Sequence, residues 1–319
     1  MPSSRHLVDP ELLPLLELLP ALDLSDATLM RIRAAIDALA PAASDIATDA
    51  VSISEHFVPG PQPVHLCIYR PERCPGRLPV LLHMHGGGYV TGSAALMGLS
   101  NTRVAVEVGC AVVSVDYRLA PEAPAPAALD DCYAAFRWIH SHADDLKLDA
   151  GRVAIGGESA GGGLAAALAL RIRDSGDPLP CLQWLIAPML DDRTAISNET
   201  PPHIGEFVWT PEANRYAWQA YLGHAPGAAH TSAYASASRA IDSSRLPAAY
   251  IVVGALDLFA HESIAHAQRL IAAGVPTEFH LYPGAYHGFE MAADTGVGRR
   301  AQRDRHDALR RAFGLGSTT

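Results

Sequence analysis

One short run limits the fold of this chain more than any other: IGGESAGGG at residues 155–163, five glycines around one serine. Before it stands GRVAIGG, whose β-branched Val153 and Ile155 suit a short buried strand. After it comes LAAALALRIRDSG, rich in Ala and Leu. Arg171 and Arg173 lie near its end and Gly176 terminates it, which is the pattern of a helix. Ser159 therefore falls on a sharp turn from strand to helix. Such a turn strains the backbone at its apex, and side chains two residues to either side would collide. Gly157 and Gly161 hold those two places, giving the G-x-S-x-G pattern of a nucleophile elbow. The turn pushes the hydroxyl out of the sheet, and the helix start offers free N–H groups to a developing negative charge. A phosphate loop is excluded because no G-K-[ST] follows Gly161 or Gly162. No G-x-G-x-x-G register closes here, nor at Gly86–Gly88, where Thr91 stands in place of the third glycine.

The chain around this turn is alternating. "VHLCIYRP", "LPVLLHMH" and "GCAVVSVDY" read as strands, and "APAALDDCYAAFRWIHSHA" as a helix after prolines. Past the elbow come "CLQWLIAPML", "AAYIVVGALD" and "TEFHLYPG". Strands alternating with helices imply a mostly parallel sheet covered on both faces. With 319 residues and 49% hydrophobic composition, the chain can bury one large α/β core. Two segments stand outside the rhythm. Residues 10–40 read as helical, and in "SDATLMRIRAAIDAL" Leu29, Ile32, Ile36 and Leu39 share a face after a Ser25 or Asp26 cap. Residues 190–225 contain "TPEANRYAWQAYLG", an amphipathic helix with Thr210 as cap and Pro211 at its first position. That insertion is expected over the strand ends, where such sheets bind ligands.

Charge and cysteine content narrow the partners. A net charge of −10 argues against nucleic acid and anionic membranes. No run of about 18 apolar residues offers a membrane span. "MPSSRHLVDPELL" has no basic stretch leading into an apolar core, so no secretory signal is expected. The five cysteines are widely spaced and form no C-x-x-C pair, the usage of reduced thiols in a cytoplasm.

A serine nucleophile needs a base, and the base needs an orienting acid. In the order serine, acid, histidine, two short loops fit: "VVGALDLFAHE" puts Asp257 just past a strand, and "YPGAYHGFE" puts His287 past the final one. Asp191 or Asp192, after "APML", is the competing acid. His280 lies inside a strand, and His261 and His266 lie on a helix. "HESIAH" resembles a zinc H-E-x-x-H, but its histidines are five apart and would not share one helical face, so no metal is expected. The third requirement is a set of backbone N–H groups aimed at one point. "HMHGGGYVTGS" supplies it after a strand, with His85, Gly86, Gly87 and Gly88 forming an HGGG-type oxyanion loop.

These motifs together resemble the hormone-sensitive-lipase-like esterases, often called bacterial family IV. The shared residues are HGGG at 85–88, "DYRLAPE" at 116–122, "GESAGGG" at 157–163, Asp257 in "DLFAHE", and "HGF" at 287–289. The chain departs from the family at Leu258, where proline is usual after the acid, and at His261, where aspartate is usual. Glu158 replaces the commoner Asp or Thr and is expected to support the site rather than react. The resemblance implies an α/β-hydrolase fold with a helical cap. The N-terminal part of the cap is 1–45, the catalytic domain 46–189 and 226–319, and the inserted cap segment 190–225. It implies a serine carboxylesterase acting on short acyl esters through an acyl-enzyme on Ser159. Asp257 and His287 complete the triad, and the amides of Gly87, Gly88 and Ala160 form the oxyanion hole. His85 and Gly86 order that loop, "DYRLAPE" is scaffold, and no cofactor is needed. The expected partner is a small ester, and a homodimer stays open. An amidase or peptidase with the same triad is the alternative enzyme. A small-ligand receptor on this fold would lack the histidine that His287 supplies here.

Overall fold

Strand β3 (Leu78–Met84) is buried at every residue, without alternation, so both of its faces are covered. It lies at the middle of one sheet in a computed structural model that describes residues 4–19, 21–41, 46, 50–72, 74, 76–197 and 200–316. Parts of the expected segments 1–45 and 190–225, at residues 1–3, 20, 42–45 and 198–199, lie outside the described residues. The other strands are β1 (Val51–Val58), β2 (Val64–Pro71), β4 (Ala111–Asp116), β5 (Leu148–Glu158), β6 (Leu182–Ile186), β7 (Ala249–Gly254) and β8 (Thr277–Tyr282). The sheet order is β1-β2-β4-β3-β5-β6-β7-β8. β2 runs antiparallel to β1 and β4, and every other pairing is parallel. This is the doubly covered, mostly parallel sheet of an α/β-hydrolase.

The α-helices with described bounds are α1 (Leu13–Leu18), α2 (Leu29–Asp37), α3 (Gly98–Val104), α4 (Ala127–Ser141), α5 (Ala160–Ser175), α6 (Pro211–Leu222), α7 (Ala260–Ala272) and α8 (Gly296–Ala312). Residues of one strand alternate between two cores. Val153, Ile155, Leu185 and Ile251 pack with α4, α5 and α7. Ala154, Trp184, Ile186, Tyr250 and Val252 face the other way, toward α8. Period-two alternation in a strand delivers this division directly.

The N-terminal segment divides between the two cores. Val8 and Leu12 join the α8 side, with Tyr286 and Phe289. Leu24, Leu29 and Ile32 join the other. Helix α2 starts at Leu29 behind Thr28, one turn later than the Ser25 or Asp26 cap expected from sequence. The Thr28 hydroxyl is spent on the preceding turn, donating to the Asp23 carbonyl at 2.6 Å. The apolar stripe also ends early, since Leu39 is 74% exposed. Helix α6 begins as its sequence predicts, with the Thr210 hydroxyl accepting from the Ala213 amide at 3.3 Å and Pro211 in its first turn. The Tyr216 hydroxyl of α6 donates to Asp26 at 3.0 Å, which ties the two segments together.

Candidate active site

Because β3 and β5 are neighbours, the loops after them emerge side by side. The β5 loop is the elbow. Ser159 has φ 55° and ψ −117°, a conformation that side chains rarely adopt. A Cβ on Gly157 or Gly161 would run into the Met84 carbonyl oxygen, so the close approach of β5 and α5 to β3 requires glycine at both. The Ser159 carbonyl accepts from the Gly163 amide at 3.0 Å and the Met189 amide at 2.9 Å, which fixes the turn.

The β7 and β8 loops bring the other two candidates to this hydroxyl. The Leu256 amide donates to the Ala285 carbonyl at 2.8 Å and locks the loops to each other. His287 Nδ1 lies 2.8 Å from Asp257 Oδ2, and His287 Nε2 lies 3.1 Å from Ser159 Oγ. A carboxylate can only accept, so Nδ1 carries the proton and Nε2 is free to accept from the serine. The second Asp257 oxygen accepts from the Phe259 amide at 2.9 Å. Burial alone would lower the His287 pKa. The facing Asp257 charge and its hydrogen bond, with Glu290 adding to them, outweigh burial and raise it. The competing acids are engaged elsewhere. Asp191 pairs with Arg193 at 2.7 Å, and the fully buried Asp192 pairs with Arg239 at 2.7 Å.

The loop after β3 carries Gly87 at φ 123°, Gly88 at φ 62° and Tyr89 at φ 64°. A Cβ on Gly88 would run into the Trp209 ring. Among the described residues, the amides of Gly87, Gly88 and Ala160 donate to no protein acceptor. Ala160 is the first residue of α5, where an N–H has no partner within its helix. His85 is buried and its pKa is pushed down to about 4 by that burial, so it stays neutral. Its Nδ1 donates to the Gly86 carbonyl at 2.8 Å. The Glu158 carboxylate lies 2.9 Å from His83 Nε2. Burial favours its neutral form, but the His83 charge and hydrogen bond outweigh this and lower its pKa. Leu258, at one of the departures from the family pattern, is buried against Gly205. His261 is exposed on α7.

The family model described as α/β-hydrolase fold matches residues 81–291. The chain belongs to the hormone-sensitive-lipase-like α/β-hydrolases. It is 37% identical over 232 residues to Esterase LipI of Mycobacterium tuberculosis, covering 71% of each chain. It is 34% identical over 260 residues to Carboxylic ester hydrolase LipN of the same organism, covering 79% of this chain and 68% of the relative. The solved structure of a Bacterial Heroin Esterase superposes with a TM-score of 0.88 at 39% identity, covering 98% of this chain and 99% of the other. The protein is a carboxylic ester hydrolase. Among the described residues of this esterase, no helix is long and apolar enough to cross a membrane.

Three residues near the site were not singled out from sequence. Trp209 lies against His287 with ring centroids 6.2 Å apart, and its Nε1 donates to Asn214 at 3.2 Å. Phe259 meets the same imidazole edge-on at 5.3 Å. Glu290 adds a carboxylate close enough to raise the His287 pKa. A tryptophan or phenylalanine at helical or loop spacing carries no signal separating a pocket wall from ordinary core. Glu290 follows the "HGF" motif directly, and that adjacency was the available signal.

Proposed function

We propose that this esterase hydrolyses short acyl esters through an acyl-enzyme on Ser159. The observation that carries the reading is the continuous hydrogen-bonded line from Asp257 through His287 to Ser159, with the Gly87, Gly88 and Ala160 amides, which donate to no acceptor among the described residues, available for the oxyanion. The serine oxygen attacks the ester carbonyl while His287 Nε2 takes its proton. The carbonyl π electrons move onto oxygen, and the amides of Gly87, Gly88 and Ala160 bind the resulting oxyanion. Collapse breaks the C–O bond, and the imidazolium returns its proton to the departing alcohol. Water repeats the sequence on the acyl-enzyme, releasing the acid and restoring Ser159. Asp257 holds the imidazole tautomer and offsets its charge throughout. Serine, histidine and water account for every proton and electron pair, so no cofactor is required.

Short acyl groups are what the family resemblance implies. The Trp209 ring stands over Gly88 and the Phe259 ring meets His287 edge-on, so both aromatic rings border the proposed site. The described parts of segments 1–45 and 190–225 act as a cap over this space, joined by the Asp26–Tyr216 bond. The test is Ser159→Ala assayed on p-nitrophenyl acetate. The variant folds, and its turnover falls roughly 10³–10⁶-fold, as in other serine triads. Turnover at the unaltered rate would reject the mechanism.

A further inference from the structure

The segment DYRLAPE at 116–122 carries no reacting group in the proposed mechanism, yet it binds the proposed oxyanion loop along its length. Asp116 accepts from the Ala94 amide at 3.0 Å. The Tyr117 ring stacks on His85 with centroids 4.1 Å apart, and its hydroxyl donates to the His85 carbonyl at 2.7 Å. The Ala120 amide donates to the Tyr89 carbonyl at 2.9 Å. Both ends and the middle of the loop are therefore tied to this segment.

One further tie comes from outside both segments. Arg33, on α2, donates through Nε to the Val90 carbonyl at 2.7 Å and through Nη2 to the Ala120 carbonyl at 2.7 Å. The same guanidinium grips Glu122 with both amino groups, at 2.7 and 2.9 Å. Its side chain is only 15% exposed. Glu122 saturates the outer edge of the guanidinium and aims its inner edge at the two carbonyls. The Val90 and Thr91 amides in turn donate to the Gly87 carbonyl at 3.1 and 2.9 Å. Fixing the Val90 carbonyl thus fixes the Gly87–Gly88 peptide plane, which carries the Gly88 amide.

We propose that Arg33 is a positioning residue for the oxyanion loop, so that helix α2 sets the aim of the Gly88 amide. The inference rests on the ester-hydrolase reading above. A tether with no other role would hold α2 in place and leave the chemical step alone. A positioning residue acts on the transition state, because the oxyanion forms only there. The two therefore differ in how kcat and KM respond. Only a planar fork reaches both carbonyls and a carboxylate at once, so lysine cannot replace it fully.

The experiment measures kcat, KM and melting temperature for wild type, Arg33→Ala and Arg33→Lys on p-nitrophenyl acetate. A p-nitrophenyl methylphosphonate supplies a second rate: the Ser159 oxygen bonds phosphorus as p-nitrophenolate leaves, and the reagent's phosphoryl oxygen takes the place of the oxyanion. Arg173→Ala is the control. Arg173 bonds the Asp242 and Ser244 carbonyls at 2.8 and 3.1 Å near the far end of α5, so its loss costs stability alone. Arg33→Ala is expected to lower kcat about tenfold or more with KM within about twofold, and to slow phosphonate capture in parallel. Arg33→Lys recovers part of both rates, while Arg173→Ala loses melting temperature and keeps kcat. An Arg33→Ala enzyme that melts earlier yet keeps wild-type kcat and capture rate well below its melting temperature overturns the proposal. If Arg33→Ala does not fold, Arg33→Lys decides, and wild-type kcat and capture rate in it overturn the proposal equally. A wild type that neither turns over the ester nor reacts with the phosphonate would instead reject the ester-hydrolase reading itself.

Discussion

Asp257 and Asp191 are both aspartates in loops past a strand, and their surroundings assign them different work. Asp257 gives one oxygen to His287 and the other to the Phe259 amide, whereas Asp191 serves Arg193. Asp257→Asn should therefore lower kcat roughly 10²–10⁴-fold, because an amide at that place favours the wrong imidazole tautomer. Asp191→Asn should have a far milder effect, and the reverse ranking would move the acid to Asp191. The pH profile follows from the same contacts. His287 has its pKa raised above the ordinary 6.5, and only the neutral ring accepts a proton, so kcat/KM should rise with pH through a midpoint above 6.5. In Asp257→Asn the largest raising influence is gone while burial remains, so the residual activity should rise at a lower pH. A profile flat across this range would exclude a histidine base. The raised pKa also means that His287 stabilises the fold below about 6.5, and this contribution is lost as pH climbs through its folded value. That Ser159, Asp257 and His287 would be brought together was legible in sequence, because each follows a strand and sits beside small residues in a fixed order. Arg33 was not, since its partners lie 57 to 89 residues away. No local pattern marks a contact of that range.

At the scale of elements, glycine placement separates two kinds of constraint. Gly161 in α5 faces the Met84 and His85 carbonyls with no room for a Cβ, whereas Gly176 ends the same helix at φ 73° with nothing within 4 Å. Gly161→Ala must push backbone against backbone, which costs about 1–3 kcal/mol or more and shifts the elbow. Gly176→Ala pays only for its left-handed conformation, about 1–2 kcal/mol. Both should melt earlier in thermal denaturation, but only Gly161→Ala should also lose esterase activity. Equal activity in the two would mean that the elbow tolerates displacement. The inner strands were legible because an apolar run bounded by turns leaves few alternatives. β1 was not, since VSISEHFV mixes polar and apolar residues on an edge strand that pairs on one side only. The start of α2 was misjudged by a turn because Ser25, Asp26 and Thr28 can all cap, and only the tertiary structure chooses among them.

For the whole molecule, the division of the N-terminal segment between two cores matters most. Leu12 is fully buried, and its carbonyl accepts from the Tyr286 hydroxyl at 2.9 Å, directly beside His287. Leu24, Leu29 and Ile32 cover the opposite face. Of the stripe read from sequence, Leu29 and Ile32 are buried and Leu39 is exposed, and which core the segment's two halves would join was not legible, because periodicity names a buried side without naming its partner. Burial of each such side chain is worth about 1.5–3 kcal/mol. Deleting residues 1–40 should therefore lower the melting temperature, and it should change both rate and acyl-length preference along a series of p-nitrophenyl esters. Circular dichroism checks the fold, and an unchanged preference and rate would exclude this segment from the cap. The proposed hydrolysis turns on the covalent step at Ser159. It is tested most directly by mixing the intact protein with excess p-nitrophenyl acetate, quenching in acid at early times, and mapping the modified peptide by mass spectrometry. The expected result is a burst of p-nitrophenol and an acetyl group on Ser159 that disappears as turnover ends. Turnover with no acetyl group on Ser159, or with acetylation at another residue, would contradict it.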